Sequence, residues 1–264
     1  MCQTGGKNYT KLMNFIKSSL KLIFIFLSLS VFSAPYLTSQ VQAKPRVPVT
    51  FEPPYPGRGA PRGGTAAGGS RPVGKACLSN PSAKSASLTA VAPGNNIGLS
   101  QSDRPNLFVY IPQTSAQTAE FSLFDEQMNG IYQVSIPVSQ AGLVSIPLPG
   151  NAPSLAQDQL YYWTVALVCD PSDRTEDRVV GGWIEHAQTN DTLKQQLENV
   201  TAIETVSLYA QQGFWYDALK ILVELQYTQP NNPEVAIAWR ELMKSVGLDV
   251  NDLAVLQAIA EVRD

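Results

Sequence analysis

His186 is the single histidine of the 264-residue chain, so any Ser-His-Asp or Cys-His arrangement has to be built on it. It falls just past a predicted strand over 178–185, and no Gly-x-Ser-x-Gly elbow accompanies it beyond the leader described below. A strand-end histidine with a structural role is the expectation, and no catalytic residue is assigned. The same scarcity removes histidine-rich zinc sites, and no Cys-x-x-Cys pair is present.

Carboxylates are denser. Asp170, Asp173, Glu176 and Asp177 crowd one loop, and calcium, which takes about six to eight oxygens, is the metal such a loop would suit. Arg174 and Arg178 sit among the acids and the spacing fits no EF-hand, so a solvated hairpin loop with local ion pairs is expected. Gly69 to Ala76 satisfies the Gly-x4-Gly-Lys pattern of a phosphate-binding loop, but Ala76 replaces the hydroxyl that binds Mg²⁺ and no strand precedes it. No cofactor is expected. Tyr132, Tyr162 and Trp183 would make a sugar-stacking platform if they shared an open sheet face; ordinary packing is the expectation.

The elements that position these residues change character along the chain. Residues 1–43 read as a cleavable secretion leader: Lys7, Lys11, Lys17 and Lys21, then the apolar run Leu22 to Phe32, then Val41-Gln42-Ala43. Pro35 closes that run well short of the roughly 20 apolar residues a spanning helix needs. Met13 also makes a serviceable start. Export to the periplasm, the envelope or the exterior is therefore expected, with membrane contact only through the leader. There disulfides persist, and of the three cysteines Cys2 leaves with the leader. Cys77 and Cys169 then have one intramolecular pairing available and are expected to be bridged, the alternative being two buried thiols.

Residues 44–76 are dense in Pro, Gly and Arg without hydrophobic period, the composition of a disordered basic arm. This arm carries six basic residues and one acidic. Residues 77–264 carry 9 basic and 21 acidic, net −12, which argues against nucleic acid as a partner.

Over 77–189, short alternating runs separated by turn residues predict strands at 87–91, 106–111, 119–124, 131–136, 143–148, 160–169 and 178–185. That spacing describes an antiparallel β-sandwich. In the longest run Tyr161, Trp163, Val165, Leu167 and Cys169 share the bulkier face, taken as the core face. Over 190–264 the period is helical. One helix starts at Asp191 or Thr192 and ends at Gly213, a second carries Trp215, Ala218, Leu219, Leu222 and Leu225 up to Pro230, a third spans 234–246 and a short fourth 251–262. The whole is α+β: an antiparallel β-sandwich followed by a C-terminal helical hairpin bundle.

Three resemblances follow from particular residues. Leu155-x5-Tyr161-x-Trp163 resembles the E–F corner of fibronectin type III and immunoglobulin-like domains, which implies a Tyr161 hydroxyl bonded back to the backbone. Tyr209-x3-Gly213-x4-Ala218-x11-Pro230 resembles one tetratricopeptide hairpin. Several motifs together resemble an uncharacterised family of exported proteins found mainly in cyanobacteria, known only as a domain of unknown function. They are Leu88 to Pro93, Ser102-Asp103-Arg104-Pro105, Tyr161-Tyr162-Trp163, Val168-Cys169-Asp170-Pro171, Gly182-Trp183-Ile184 and Gly213-x-Trp215-Tyr216-Asp217-Ala218-Leu219. The family implies no activity.

The leading functional expectation is a non-enzymatic exported protein acting through contacts with another envelope or secreted protein. An apolar patch at Tyr209, Phe214 and Tyr216 is expected to be left over for that partner. A carbohydrate- or surface-binding module is the alternative, and a hydrolase drawing on Asp170, Asp173 and Glu176 a weaker one. Oligomeric state is left open.

Overall fold

A computed structural model describes residues 46–57, 59, 61, 77, 87–248 and 260–261. The leader, the phosphate-loop-like stretch and most of the predicted fourth helix lie outside the described residues. No described helix is long and apolar enough to cross a membrane.

The chain is α+β, with two sheets and four helices among the described residues. β1 (Thr89–Ala90), β3 (Asn106–Ile111), β6 (Gly142–Pro147) and β9 (Ala260–Glu261) form one sheet in that order. β2 (Ile97–Ser100), β8 (Arg178–His186), β7 (Leu160–Val168), β4 (Thr118–Asp125) and β5 (Gly130–Pro137) form the other. Pairing is antiparallel except for β2 on β8 and β9 on β6. Of the fourth helix expected over 251–262, the two described residues are strand β9. Six of the seven predicted strands appear within two residues of their expected limits, and the first contracts to β1, although the Val91 N–H still donates to Phe108 O.

β2 was absent from the sequence reading. Its four residues, Ile-Gly-Leu-Ser, carry too little alternation to register, and it is held by a parallel ladder on β8 and by the Leu99 N–H, which donates to Gly213 O at 2.8 Å.

Residues of both sheets meet in one apolar core, with Phe121, Trp163, Val165 and Leu167 buried beside Leu107, Val109 and Leu143. On β7 the expected core face is right for Trp163, Val165 and Leu167, but Tyr162 on the other face is only 4 % exposed. It packs with Trp183, Leu193 and Phe214 in a second cluster, so this central strand is covered on both faces. Cys77 and Cys169 stand at disulfide distance, 92 residues apart in sequence. A bridge over that span restricts the unfolded chain by about 4–5 kcal/mol on chain-entropy grounds.

The helices are α1 (Asp191–Gln196), α2 (Ala202–Gln211), α3 (Trp215–Thr228) and α4 (Pro233–Ser245). The single helix expected before Gly213 is two. Asn199 takes a left-handed φ of 59°, and Thr201 opens α2 with a capping box, its hydroxyl accepting from the Glu204 N–H while Glu204 accepts from the Thr201 N–H. Asn190, not Asp191 or Thr192, caps α1 by accepting from the Leu193 N–H at 2.8 Å. α3 packs on α2 and α4, lies against β2 and reaches β3.

Candidate functional site

The helices grip the sheet through the residues of the Gly213-x-Trp215-Tyr216-Asp217-Ala218-Leu219 motif. Gly213 turns the chain from α2 into α3 at φ 81°, and a Cβ there would meet Pro54 at 2.8 Å. Trp215 is fully buried, and its indole N–H donates to Val91 O at 3.0 Å, between the two sheets. Tyr216, 2 % exposed, accepts from the Trp163 indole N–H at 2.8 Å and donates to Trp183 O at 3.1 Å. One hydroxyl thus satisfies two buried groups on neighbouring strands. Burial pushes that phenol well above its usual range. β2 passes so close beneath that a Cβ on Gly98 would lie 2.8 Å from the Tyr216 ring. Ala218 and Leu219 are fully buried in the same seam.

Asp217 is the titratable group of this seam. It accepts from the Gln101 N–H at 2.9 Å just past β2, and Gln101 in turn accepts from the Tyr209 hydroxyl at 3.1 Å. Burial pushes the Asp217 carboxyl up to about 6, against the Gln101 N–H and the nearby Lys220 and His186, which pull it down. Tyr209 is raised too, by its own burial and by the Asp217 charge.

The second constellation is a polypeptide held against the helices. Residues 46–57 had been expected to belong to a disordered arm, and the structure corrects this: Val49 is fully buried and Phe51 is 5 % exposed. Arg46 makes a two-pronged contact with Glu241 of α4 at 3.0 and 2.8 Å. Glu241 also accepts from the Val49 N–H at 2.9 Å, and Ser245 from the Phe51 N–H at 3.0 Å. From α2, the Ser207 hydroxyl donates to Pro48 O, and Ala210 O accepts from the Glu52 N–H, both at 3.0 Å. Phe51 meets Trp215 edge to face at 5.4 Å between ring centres, and the Tyr55 hydroxyl donates to Glu185. The segment is read along its backbone, with side chains 49 and 51 buried in alternation. Its signal in the sequence is that alternation, Val47-x-Val49-x-Phe51, embedded among prolines.

The expected contact patch is not a surface. Tyr216 and Phe214 are buried and Tyr209 is partly covered; their apolar area is spent on the sheet because α3 presents apolar residues on more than one side. Nor do Tyr132, Tyr162 and Trp183 form an open platform. Tyr162 and Trp183 are buried, their rings 4.9 Å apart, whereas Tyr132 lies on β5 with its hydroxyl donating to Asn151. His186 places Nδ1 2.9 Å from Leu155 O at the end of β8.

In the acidic loop three of the four candidate carboxylates, Asp170, Asp173 and Asp177, are turned onto the loop itself, while Glu176 Oε2 is buried without a hydrogen-bond partner. Asp170 accepts from the N–H and hydroxyl of Ser172, which lowers its pKa. Asp173 caps a 3₁₀ turn at Arg174–Glu176 by accepting from the Thr175 N–H. Asp177 accepts from the Cys169 N–H and pairs with Arg174, which also reaches Glu120 on β4. No cluster of three metal-ligating side chains occurs among the described residues.

Other residues singled out in the sequence also serve the framework. Arg104 donates to Pro149 O and Ala152 O, clamping the turn after β6. The Tyr161 hydroxyl accepts from the Ala156 N–H at 3.0 Å, five residues upstream and beside buried Leu155.

No curated protein matches the chain. The family model described as Domain of Unknown Function (DUF928) matches residues 66–256, which take in Cys77 and Cys169, the strands β1 to β8 and the seam motif. The chain belongs to the DUF928 family.

Proposed function

We propose that the protein is an exported, non-enzymatic contact module whose helices bind extended polypeptide. The observation that carries this reading is the grip of α2 and α4 on residues 46–55. Two backbone N–H groups are received by side chains of α4, one backbone carbonyl is met by a side chain of α2, and a cation is paired with Glu241. This is how a groove recognises an extended peptide, here supplied in cis. The ligand type it suits is an uncoiled segment with a basic residue followed by apolar residues three and five positions on, offered by another exported protein.

The scaffold reads as an immunoglobulin-like sandwich joined to a single tetratricopeptide-like hairpin. Support comes from the strand partition, in which, β2 and β9 apart, the first, third and sixth strands stand against the fourth, fifth, seventh and eighth, and from the Tyr161 bond to the backbone before its strand. For the hairpin it comes from α2 and α3 packed across the Gly213 turn. Export is supported by the leader-like N-terminus and the disulfide-distance pair. Protein recovered from the producing cell should then begin at or near Lys44; an intact leader on membrane material would overturn export.

The groove is tested with a labelled peptide of sequence 46–55. It should bind a Phe51→Ala chain more tightly than the wild type, whose own segment competes, and Glu241→Ala, which removes the acceptor of the Val49 N–H together with the ion pair, should weaken that binding about tenfold. A peptide that binds neither chain makes the segment plain core packing and defeats the reading.

A further inference from the structure

The five-stranded sheet ends on β5, which pairs only with β4 among the described residues. The direction of its free backbone groups follows from one bond. The Val138 N–H donates to Gln117 O, so pair 117/138 is a hydrogen-bonded pair of the antiparallel ladder. Alternation then turns the N–H and C=O of Val134 and Ile136 towards β4, and those of Gln133 and Ser135 away from it. Both residues also carry exposed side chains. A register shift at Leu123/Phe124 frames one end of this edge, and Pro137, which has no N–H, frames the other.

Long edges are usually blunted by charge. This one is not. Residues 127–157 contain no Asp, Glu, Lys, Arg or His, a stretch of 31 residues in a body that carries net −12 from Cys77 onward. Met128 and Ile131 flank the edge at 44 % and 38 % exposure. Two copies of a body with net −12 repel overall, and residues 127–157 add no charge to that repulsion. An edge strand free of charge is also complementary to itself, because an antiparallel pair about a two-fold axis satisfies the same groups on both sides.

We propose that β5 pairs with β5 of a second copy about a two-fold axis at Val134, joining the two five-stranded sheets into one. Gln133 of each copy faces Ser135 of the other, and four N–H to C=O bonds close between them. Charge depletion at the centre of the contact, with Ile131 and Met128 at its margins, matches what interface cores require. The short ladder makes a weak, concentration-dependent dimer.

The experiment uses the chain from Lys44 onward, which contains the whole compact unit Arg46–Asp264. Sedimentation over a series reaching about 1 mM should show the mass doubling. The double variant Gln133→Glu/Ser135→Glu and the double variant Gln133→Lys/Ser135→Lys should each weaken the dimer by about tenfold or more, and an equal mixture should restore it. Amide exchange provides a reading without substitution: Gln133 and Ser135 should gain protection with concentration, while Val134, bonded to β4, should not change. A wild type that stays monomeric throughout overturns the proposal. So does a dimer indifferent to both variants, a mixture that fails to restore it, or protection at Gln133 and Ser135 that does not follow concentration.

Discussion

The two edges of the five-stranded sheet are treated in opposite ways. β2 is short, contains Gly98, and is roofed by Gly213, Trp215 and Tyr216, with Pro54 of the N-terminal segment behind the turn. β5 is twice as long, uncharged, and paired only with β4 among the described residues. The difference separates residues that hold the molecule together from residues still available to another one. The sequence motifs singled out at the outset fall heavily on the closed edge, where they dock helices onto strands. The Gly213-to-Leu219 motif forms a joint between helix and strand.

The comparison is broken most directly by truncating the two edges in parallel. Trp215→Ala should cost about 3–5 kcal/mol, the range for emptying a buried aromatic site. Ile131→Ala on the open edge should cost less than about 1 kcal/mol. Urea midpoints at unchanged slope are the measure, and equal losses would mean that the open edge is also structural.

Protons sharpen it next. Burial pushes the folded Asp217 carboxyl up to about 6 while the unfolded one keeps the ordinary aspartate value of 3.8, so between those values the folded state holds more protons. Its contribution is therefore most favourable below the unfolded value and is lost as pH rises through about 6, by up to about 3 kcal/mol. Asp217→Asn keeps an acceptor for the Gln101 N–H and should remove that slope. Unfolding free energies at pH 4, 5, 6 and 7, taken as wild type minus variant, should shrink across the series; a flat difference would show that the carboxyl titrates normally.

Tyr216→Phe should cost about 2 kcal/mol, because the Trp163 indole N–H and Trp183 carbonyl both lose their partner while the ring remains. A near-zero cost would mean that water replaces the hydroxyl at the seam. The smallest effect belongs to Arg46→Ala. Both partners of that ion pair are about one-third exposed, so the loss should stay near 0.5 kcal/mol in a double-mutant cycle with Glu241→Gln. A larger coupling would make the cation, and not Val49 and Phe51, the anchor of the N-terminal segment.

What the sequence made legible follows from period. Strands β3 to β8 announce themselves because alternation runs for six residues or more between turn residues, and α3 and α4 because their apolar positions repeat every three or four. β2 has four residues and a glycine, too few for a period to show. The segment at 46–57 is hidden by composition: its four prolines outweigh a two-residue alternation that is nonetheless present in Val49 and Phe51. The signal for the break before α2 is the capping box Thr201-x-x-Glu204, masked by an apolar spacing that runs on through it. Tyr216 was misplaced for a different reason. One strip of α3 was read as its buried face, whereas Tyr216 and Val223 add a second, the mark of a helix enclosed on several sides.

The bond from the Phe51 N–H to Ser245 spans 194 residues. During synthesis from the N-terminus, residues 46–55 emerge before every described strand and helix, and their partners on α4 come after all of those elements except β9. Val49 and Phe51 must therefore wait for those partners while eight strands and three helices are made. Contacts so distant in the chain form slowly and leave apolar surface open in the meantime. Completion of the fold is thus a matter of timing: the first segment made is among the last to be seated, and any factor that shelters it in that interval acts on the yield of the protein without altering its final stability.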